Sequence, residues 1–399
     1  MTDFSAWVEV DLDAFAGNVA RIREIVGPNV KLHLVVKADA YGHGAARIAH
    51  VAVEQRAHSV GVATIDEGVE LRRAGVKLPV IILSPSLASE AVRIVENDLT
   101  PAVASAEVAR AVADASLARG VVTPVHVEID TAMGRSGIAP EHAVEFARML
   151  SGLPTIRLAG CFTHFPSADA EHASPLVNRQ LDDFLAATGA IRAARLDPGI
   201  LHAANSAAIL NHPKSHLDMV RPGILAYGLA PADTVTVPEG TRPVMRFVTR
   251  LVHVRELDAG HPISYGGDFV TPERMRVGTA GVGYGHGYPF ALSGRGAALL
   301  HGTRVPILGR VTMDTTVFDL RAVPHARVGD EVVLFGSQGS ETLRATEVAK
   351  SADTIHYEVL IGIGRRVPRV YTRIGRRVEV RTLLGTDVPL TTRLPGDGP

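Results

Sequence analysis

The strongest constraint on the fold is an alternation that runs through roughly the first 230 residues. Short β-branched runs recur at Leu34–Ala38, Val60–Ala63, Val80–Ser84, Pro101–Ala104, Val125–Asp130, Leu158–His164, Ile200–Asn205 and Met219–Gly223. Between them lie Ala-, Glu- and Arg-rich segments with a helical period, such as Ala45–Arg56, Ser105–Ala118 and His142–Leu150. Asp11 or Asp13 can cap a helix running to about Ile25, and Gly120 follows one ending near Arg119. An open doubly wound sheet has the same local texture. Eight strands, each with its helix, favour a TIM-type (β/α)8 barrel.

The texture changes after Pro231. The runs Phe247–Val254, Met275–Val282, Arg304–Leu308, Thr315–Leu320, Glu331–Phe335 and Arg369–Tyr371 are separated by Gly and Pro turns. Helical pattern is scarce there apart from Ala345–Ser351. The expected organisation is an α/β barrel over 1–235 with Thr234–Arg242 as the linker region, a mainly β domain over 236–384, and a loose Pro-, Gly- and Thr-rich tail over 385–399.

Composition narrows the class of function. The 399 residues carry a formal net charge of −1, so no basic excess suggests nucleic acid or a membrane surface. The single cysteine, Cys161, excludes an intrachain disulfide framework and fits a reducing compartment. No signal-peptide core opens the chain, and no apolar run approaches the ~20 residues that span a bilayer. The expected location is the cytoplasm.

Active-site residues of such barrels sit at the carboxyl ends of the strands. Here those ends carry Lys37 and Tyr41 on the first strand, Leu83 on the third, and Glu128, Asp130 and Arg135 on and after the fifth. His164 follows on the sixth, Asn205-Ser206 on the seventh and Arg221-Pro222-Gly223 on the eighth. A lysine at such a rim, in Val35-Val36-Lys37-Ala38-Asp39-Ala40-Tyr41-Gly42-His43-Gly44, can form a Schiff base with an aldehyde cofactor. A cofactor phosphate needs neutral donors, which Ser206, the backbone at Gly223 and Ile224, and Tyr41 offer. A pyridine nitrogen facing Arg221 is not readily protonated, because Arg keeps its proton. An enzyme that needs a strong electron sink places a carboxylate there instead. Arginine therefore predicts a weak sink and a short-lived carbanion, which suits proton exchange. His43, His126, His286 and His356 show no metal-ligand spacing and read as structural or exposed; no metal is expected.

The segments VVKADAYGHG, EIDTAMGRSG, TH, HAANSAA, MVRPGILAYG, ISYGGDF, GYPFALS, GRVTMDTTVFDL and IGRRVPRVY together resemble the alanine racemase family, in the family's order and across about residues 7–371. The resemblance implies a pyridoxal 5'-phosphate enzyme that interconverts L- and D-alanine and supplies D-alanine for peptidoglycan. It also implies a head-to-tail homodimer with shared active sites. On it, Lys37 matches the Schiff-base lysine and base on one face, and Tyr265 the opposite base, contributed by the partner subunit. A free tyrosine has a pKa near ~10 and needs activation, for which His164 beside Arg221 is the expected route. Arg135 and the backbone of Met313 match the substrate-carboxylate contacts. Tyr41, Ser206, Gly223, Ile224 and Tyr357 match the phosphate contacts, and Leu83 and Asn205 lie around the cofactor. Tyr284, Arg310 and Asp169 match the entrance corridor. Asp314 is placed with this supporting set; the alternative reading is a group that satisfies local backbone donors.

Glu128 departs from the family pattern, which often has a carbamylated lysine there to orient the arginine. On strand alternation His126, Glu128 and Asp130 share one face, and Glu128 is expected to pair with Arg135 directly. Thr312, Thr315, Gly285-His286 and His356 also depart, near the substrate or its entrance. A racemase of serine or of broader specificity is therefore a rival reading, as is a barrel decarboxylase, which Arg221 disfavours. A non-catalytic cofactor carrier is a third, against which the β domain and Tyr265 argue.

Overall fold

The computed structural model describes residues 3–170 and 174–387. It divides into two compact units, one of residues 14–242 and one that joins the first 13 residues to those from 243 onward.

In the first unit eight parallel strands form a ring: β2 (Lys31–Val35), β3 (Ser59–Val62), β4 (Val80–Ile82), β5 (Thr100–Val103), β6 (Thr123–Glu128), β7 (Ile156–Phe162), β8 (Ile200–His202) and β9 (Met219–Val220). Each pairs with the next from β2 to β8, and β9 pairs with β2. Backbone bonds from Asp218 N–H to Leu201 O (3.1 Å) and from Arg221 N–H to Ala204 O (2.9 Å) tie the β8 and β9 segments and close the barrel. The apolar runs are continuous because a parallel strand is buried on both faces. Outward residues Val103, Val125, Val127 and Leu201 pack against Val112, Ala113, Ala147, Phe184 and Ile191 of the surrounding helices. Burial of such side chains is worth about 1.5–3 kcal/mol each.

The second unit is built on an eleven-stranded sheet. Its spine is the 13-residue β10 (Met245–Leu257), which pairs with β1 (Ala6–Asp11), β13 (Met275–Ala280) and β17 (Glu331–Gln338). β1 also lies parallel to β19 (Arg369–Arg373). Trp7, Val248, Val370 and Val380 form a core cluster there. Two short strands, β11 (Pro262–Ile263) and β12 (Phe269–Val270), form a separate ribbon.

Three boundaries differ from expectation. The amino-terminal strand belongs to the β unit, because its partners β10 and β19 lie more than 230 residues away and leave no local trace. The linker stays on the barrel through Arg242, whose N–H donates to Asn18 Oδ1 (2.9 Å) and whose carbonyl accepts from Asn18 Nδ2 (2.8 Å). Gly385–Asp387, expected in the tail, form a strand paired with Arg376–Thr382 through backbone bonds that need no apolar side chain. The rest of that tail, 388–399, lies outside the described residues. A second helical segment, His356–Ile361, follows Ala345–Ser351.

Candidate active site

Lys37 stands two residues beyond β2, where the chain enters an unusual turn. Ala38, Asp39, Ala40 and Tyr41 all have φ between +52° and +55°. Four consecutive non-glycine residues in the left-handed region are costly and persist only where the surroundings fix them. Glu67 supplies part of that fixation. Its Oε1 accepts from Ala38 N–H (2.6 Å), and its Oε2 accepts from Ala63 N–H (2.7 Å) and Thr64 N–H (3.1 Å). Asp39 Oδ1 accepts from Ala45 N–H (2.8 Å) and so pins the far end. Sequence reading missed Glu67, although Thr64-Ile65-Asp66-Glu67 carries the capping-box signature.

Burial pulls the Lys37 ammonium below its ordinary pKa, and the Arg135 guanidinium pulls the same way; Glu67 opposes them, and Arg221 adds a smaller downward effect. Arg221 is itself buried. Its Nη1 donates to His202 O (2.9 Å) and His202 Nδ1 (3.1 Å). Its Nη2 donates to Thr163 O (2.7 Å), Ala203 O (3.0 Å) and His164 Nδ1 (3.3 Å). Burial lowers its pKa to about 10, with Glu128 opposing and Arg135 adding, so it stays cationic at neutral pH. His164 is pushed down to about 3, by burial first and then by Arg221, Arg135 and Lys37. It is a neutral ring whose Nδ1 accepts, which places its proton on Nε2.

The donors expected for a phosphate converge at the β8 and β9 ends. Ser206 Oγ accepts from Gly223 N–H (2.9 Å) and Leu225 N–H (3.3 Å). A Cβ added at Gly223 would lie 2.4 Å from Tyr41 Oη, so glycine is what lets the backbone approach there. Asn205 is spent locally: its Oδ1 accepts from Ala208 N–H (3.0 Å) and its Nδ2 donates to Phe165 O (3.0 Å). Ile224 is buried and opens the short turn Ile224–Tyr227; Leu83 is half-buried and bonds Val62 O through its N–H (2.9 Å). Asp169 accepts from Thr234 Oγ1 through its carbonyl (2.9 Å).

Glu128, on β6, is almost fully buried, and its nearer partner is Ser136, whose hydroxyl donates to Oε2 at 2.6 Å. Arg135 Nη2 stands 4.0 Å from Oε1, so the expected direct pairing is an electrostatic contact and not a hydrogen bond. A cavity of about 250 Å³, walled by Ser86, Val103 and Val108 among others, borders Glu128, Arg135 and Ser136. Asp130 Oδ1 accepts from the N–H groups of Ala132, Met133 and Gly134, and so shapes the loop that carries Arg135. His126, read from sequence as structural or exposed, is buried and hydrogen-bonded to His202.

The remaining candidates belong to the β unit. Tyr265 is 73% exposed, in a turn where Ser264, Gly266 and Gly267 have positive φ. Ser264 Oγ donates to Arg310 O (2.7 Å), and a Cβ at Gly266 would meet Arg310 Cζ at 2.9 Å. Arg310 Nε donates to Asp268 Oδ2 (2.5 Å), which lowers the Asp268 carboxyl pKa. Expected only at an entrance, Arg310 therefore also buttresses the Tyr265 turn. Met313 is half exposed, and its carbonyl accepts from Gly285 N–H (2.9 Å). Asp314 pairs with Arg366 (2.9 Å). Tyr284 is exposed and packs edge-on against Phe290 (6.2 Å between centroids), and the half-buried Tyr357 ring lies against His356 (4.6 Å).

A desolvated lysine, a set of neutral donors and a buried arginine form a donor set that suits pyridoxal phosphate. The profile "Alanine racemase, N-terminal domain" matches residues 10–231, and "Alanine racemase, C-terminal domain" matches 244–371. The alanine racemase of Halothermothrix orenii is 42% identical over 365 residues, covering 92% of this chain and 96% of that one. That of Desulfovibrio desulfuricans is 43% identical over 370 residues, covering 92% and 98%. The crystal structure of alanine racemase from Bacillus anthracis, with bound L-Ala-P, superposes with a TM-score of 0.90 at 36% identity and covers 96% of this chain and 99% of that one. The chain therefore belongs to the alanine racemase family, with the barrel and the β unit both inside the match.

Proposed function

We propose that this chain interconverts L- and D-alanine with pyridoxal phosphate, using Lys37 and Tyr265 as bases on opposite faces of the α-carbon. The observation that carries the proposal is the placing of a half-buried Lys37 just beyond β2 and a buried Arg221 just beyond β9, two strands paired in the barrel. Lys37 would hold the cofactor, and Tyr41, Ser206, Gly223, Ile224 and Tyr357 would hold its phosphate. Bound there, the cofactor supplies an electron sink that acidifies the substrate's α-proton.

A lowered pKa makes the neutral Lys37 amine accessible, both for bonding an aldehyde carbon and for accepting a proton at Nζ. Arg221 keeps its proton and gives hydrogen bonds without transferring it, so the sink stays weak and the exchange brief. Arg135 and the Met313 backbone take the substrate carboxylate, with Glu128 as the anion behind Arg135. The second proton comes from Tyr265 of the partner subunit in a head-to-tail homodimer. The exposure of Tyr265, Met313 and Tyr284 supports an arrangement in which another copy covers them. His164 offers the neutral Nε2–H through which a tyrosinate is stabilised. The product serves peptidoglycan synthesis in the cytoplasm. Among the described residues no helix is long and apolar enough to cross a membrane.

A chiral product assay on L-alanine and L-serine, with the cofactor-loaded protein and its Tyr265→Phe variant, tests this reading. D-alanine is expected as the faster product. The variant should keep the cofactor's absorption and lose roughly 10²–10⁴-fold in rate, the usual contribution of a positioned acid or base. Full activity in the variant would remove Tyr265 from the mechanism, and faster conversion of serine would move the substrate.

A further inference from the structure

Barrel interiors are ordinarily packed with branched aliphatic side chains. Here three buried histidines, His33, His126 and His202, occupy that space on β2, β6 and β8. Burying an imidazole costs free energy unless its nitrogens find partners. Two of the three find them in a single chain that ends on Arg221.

The donors determine every proton in that chain. Arg221 Nη1 has only hydrogens to give, so His202 Nδ1 accepts at 3.1 Å and the His202 proton sits on Nε2. That N–H faces His126 Nδ1 at 2.8 Å, which accepts in turn, so the His126 proton also sits on Nε2. Both rings are neutral; a cationic ring would set N–H against N–H at one end or the other. Burial drives both pKa values down in the same sense. The rings are also locked by packing. His202 stacks on Phe162 (5.0 Å, 18°), and the Arg221 guanidinium lies over the same Phe162 ring at 5.4 Å. Gly160 keeps room for His126, because a Cβ there would meet its Cε1 at 2.6 Å. His33 is different. Its Nδ1 bonds Ser59 Oγ (2.8 Å), its Nε2 has no hydrogen-bond partner, and it makes no hydrogen bond to Arg221.

We propose that His202 and His126 are positioning residues for Arg221: a relay of two neutral imidazoles with fixed tautomers that sets the rotation of the guanidinium and, through it, the ring of His164. The consequence for turnover rests on the roles given above to Arg221 and His164; the tautomers do not. The main-chain carbonyls of Thr163, His202 and Ala203 also take Arg221 hydrogens, but carbonyls accept over a broad range of directions. The in-plane lone pair of His202 Nδ1 is the narrower constraint, and His126 holds that ring against flipping.

The test compares the wild type with His202→Leu, His202→Gln and His33→Leu, each as the cofactor-loaded protein. Leu removes both the acceptor and the donor. Gln keeps one of each. His33→Leu perturbs the same interior, beside the His202 ring (6.4 Å between centroids), without removing a hydrogen bond of the relay. The readouts are histidine ¹⁵N NMR, the cofactor's absorption, melting temperature, and kcat and KM for alanine. In the wild type, His202 and His126 should each show a bare Nδ1 and a protonated Nε2. His202→Leu should lower kcat roughly 10–100-fold, the loss expected for one hydrogen bond to a charged group. It should shift the His164 resonances and the cofactor band and leave KM little changed. Gln should recover most of the rate, and His33→Leu should leave it intact. A protonated Nδ1 on either ring of the wild type would overturn the relay whatever the enzyme's activity. Wild-type kcat in His202→Leu would overturn the positioning role. Equal losses in Leu and Gln that track a fall in melting temperature would reduce His202 to packing. If Leu does not fold, the wild-type resonances and the Gln variant decide between the same outcomes.

Discussion

The barrel rim and the β unit hold their reactive groups in opposite ways. Lys37, His164 and Arg221 sit where burial controls their protonation; the Glu67 carboxylate holds the turn after Lys37, backbone carbonyls hold Arg221, and Arg221 holds His164. Tyr265, Met313 and Tyr284 stand exposed, Tyr265 on a turn in which Ser264, Gly266 and Gly267 have positive φ. Burial prepares a group electrostatically before any ligand arrives; exposure leaves that work to whatever covers the surface. On the proposed function, the barrel would carry a prepared half-site and the β unit the groups that another copy covers.

Removing the prepared amine should give the largest effect. Lys37→Arg keeps a cation in the same turn, but a guanidinium neither deprotonates near neutral pH nor bonds an aldehyde. Racemisation should fall by at least about 10⁴-fold, and the absorption of the lysine-bound cofactor should vanish. Tyr265→Phe, by contrast, should keep that absorption. A variant Lys37→Arg that retained it would show that preparation at Lys37 is not what binds the cofactor.

Acid should separate the two units next. His126 and His164 titrate near about 3 in the folded barrel, and His33 and His202 are also held well below their ordinary value, in each case by burial first. In the unfolded chain all four titrate near ~6.5. Above that pH neither state binds protons and the barrel has its full stability. As the pH falls below ~6.5 only the unfolded state takes them up, so each ring costs about 1.4 kcal/mol per pH unit until its folded pKa is reached. Four rings make that on the order of 5 kcal/mol per unit. In the β unit His286 is held below its ordinary value in the same sense, by burial first. Amide exchange between pH 7 and 5 should therefore rise in β2 to β9 before it rises in β10 and β17. A uniform rise would mean that the buried rings gain protons without opening the barrel.

Legibility in sequence follows the same division. The eight barrel strands were readable because a doubly buried strand is a short apolar run bounded by turn residues, and Lys37, His164 and Arg221 interrupt those runs visibly. The left-handed turn was not, since Ala38, Ala40 and Tyr41 have no local preference for φ > 0; Glu67 and Asp39 fix it by accepting from backbone N–H groups at 2.6 and 2.8 Å, the first of them 29 residues away in sequence. His202 was hidden for a related reason. A histidine inside the run Ile200–Asn205 gains meaning only when β6 and β9 bring His126 and Arg221 beside it. Ser136, adjacent to a conspicuous arginine, was overlooked because its partner Glu128 lies eight residues back across a loop.

The smallest effect sharpens the comparison at its boundary, where a buried anion faces a half-exposed cation. Glu128 is held from below by Ser136, and Arg135 is 54% exposed at 4.0 Å. At that separation an effective dielectric of about 20 gives ~4 kcal/mol, but water around Arg135 screens most of it, and exposed pairs are worth ~0–1 kcal/mol. An intermediate ~1–1.5 kcal/mol, or roughly tenfold, is the reasonable expectation for Glu128→Gln. Gln can still accept from Ser136, so the loop should stay in place and the melting temperature should change little. Arg135 would lose its nearest counter-charge and hold the substrate carboxylate in a broader range of poses, so kcat/KM should fall while the cofactor's absorption stays. The measurement belongs in buffer depleted of carbon dioxide, with bicarbonate then restored. If Glu128 is the orienting anion, bicarbonate changes neither form. Unchanged kinetics in Glu128→Gln would mean that Arg135 is oriented by something outside this pair, and the 250 Å³ cavity beside it is where that group would sit.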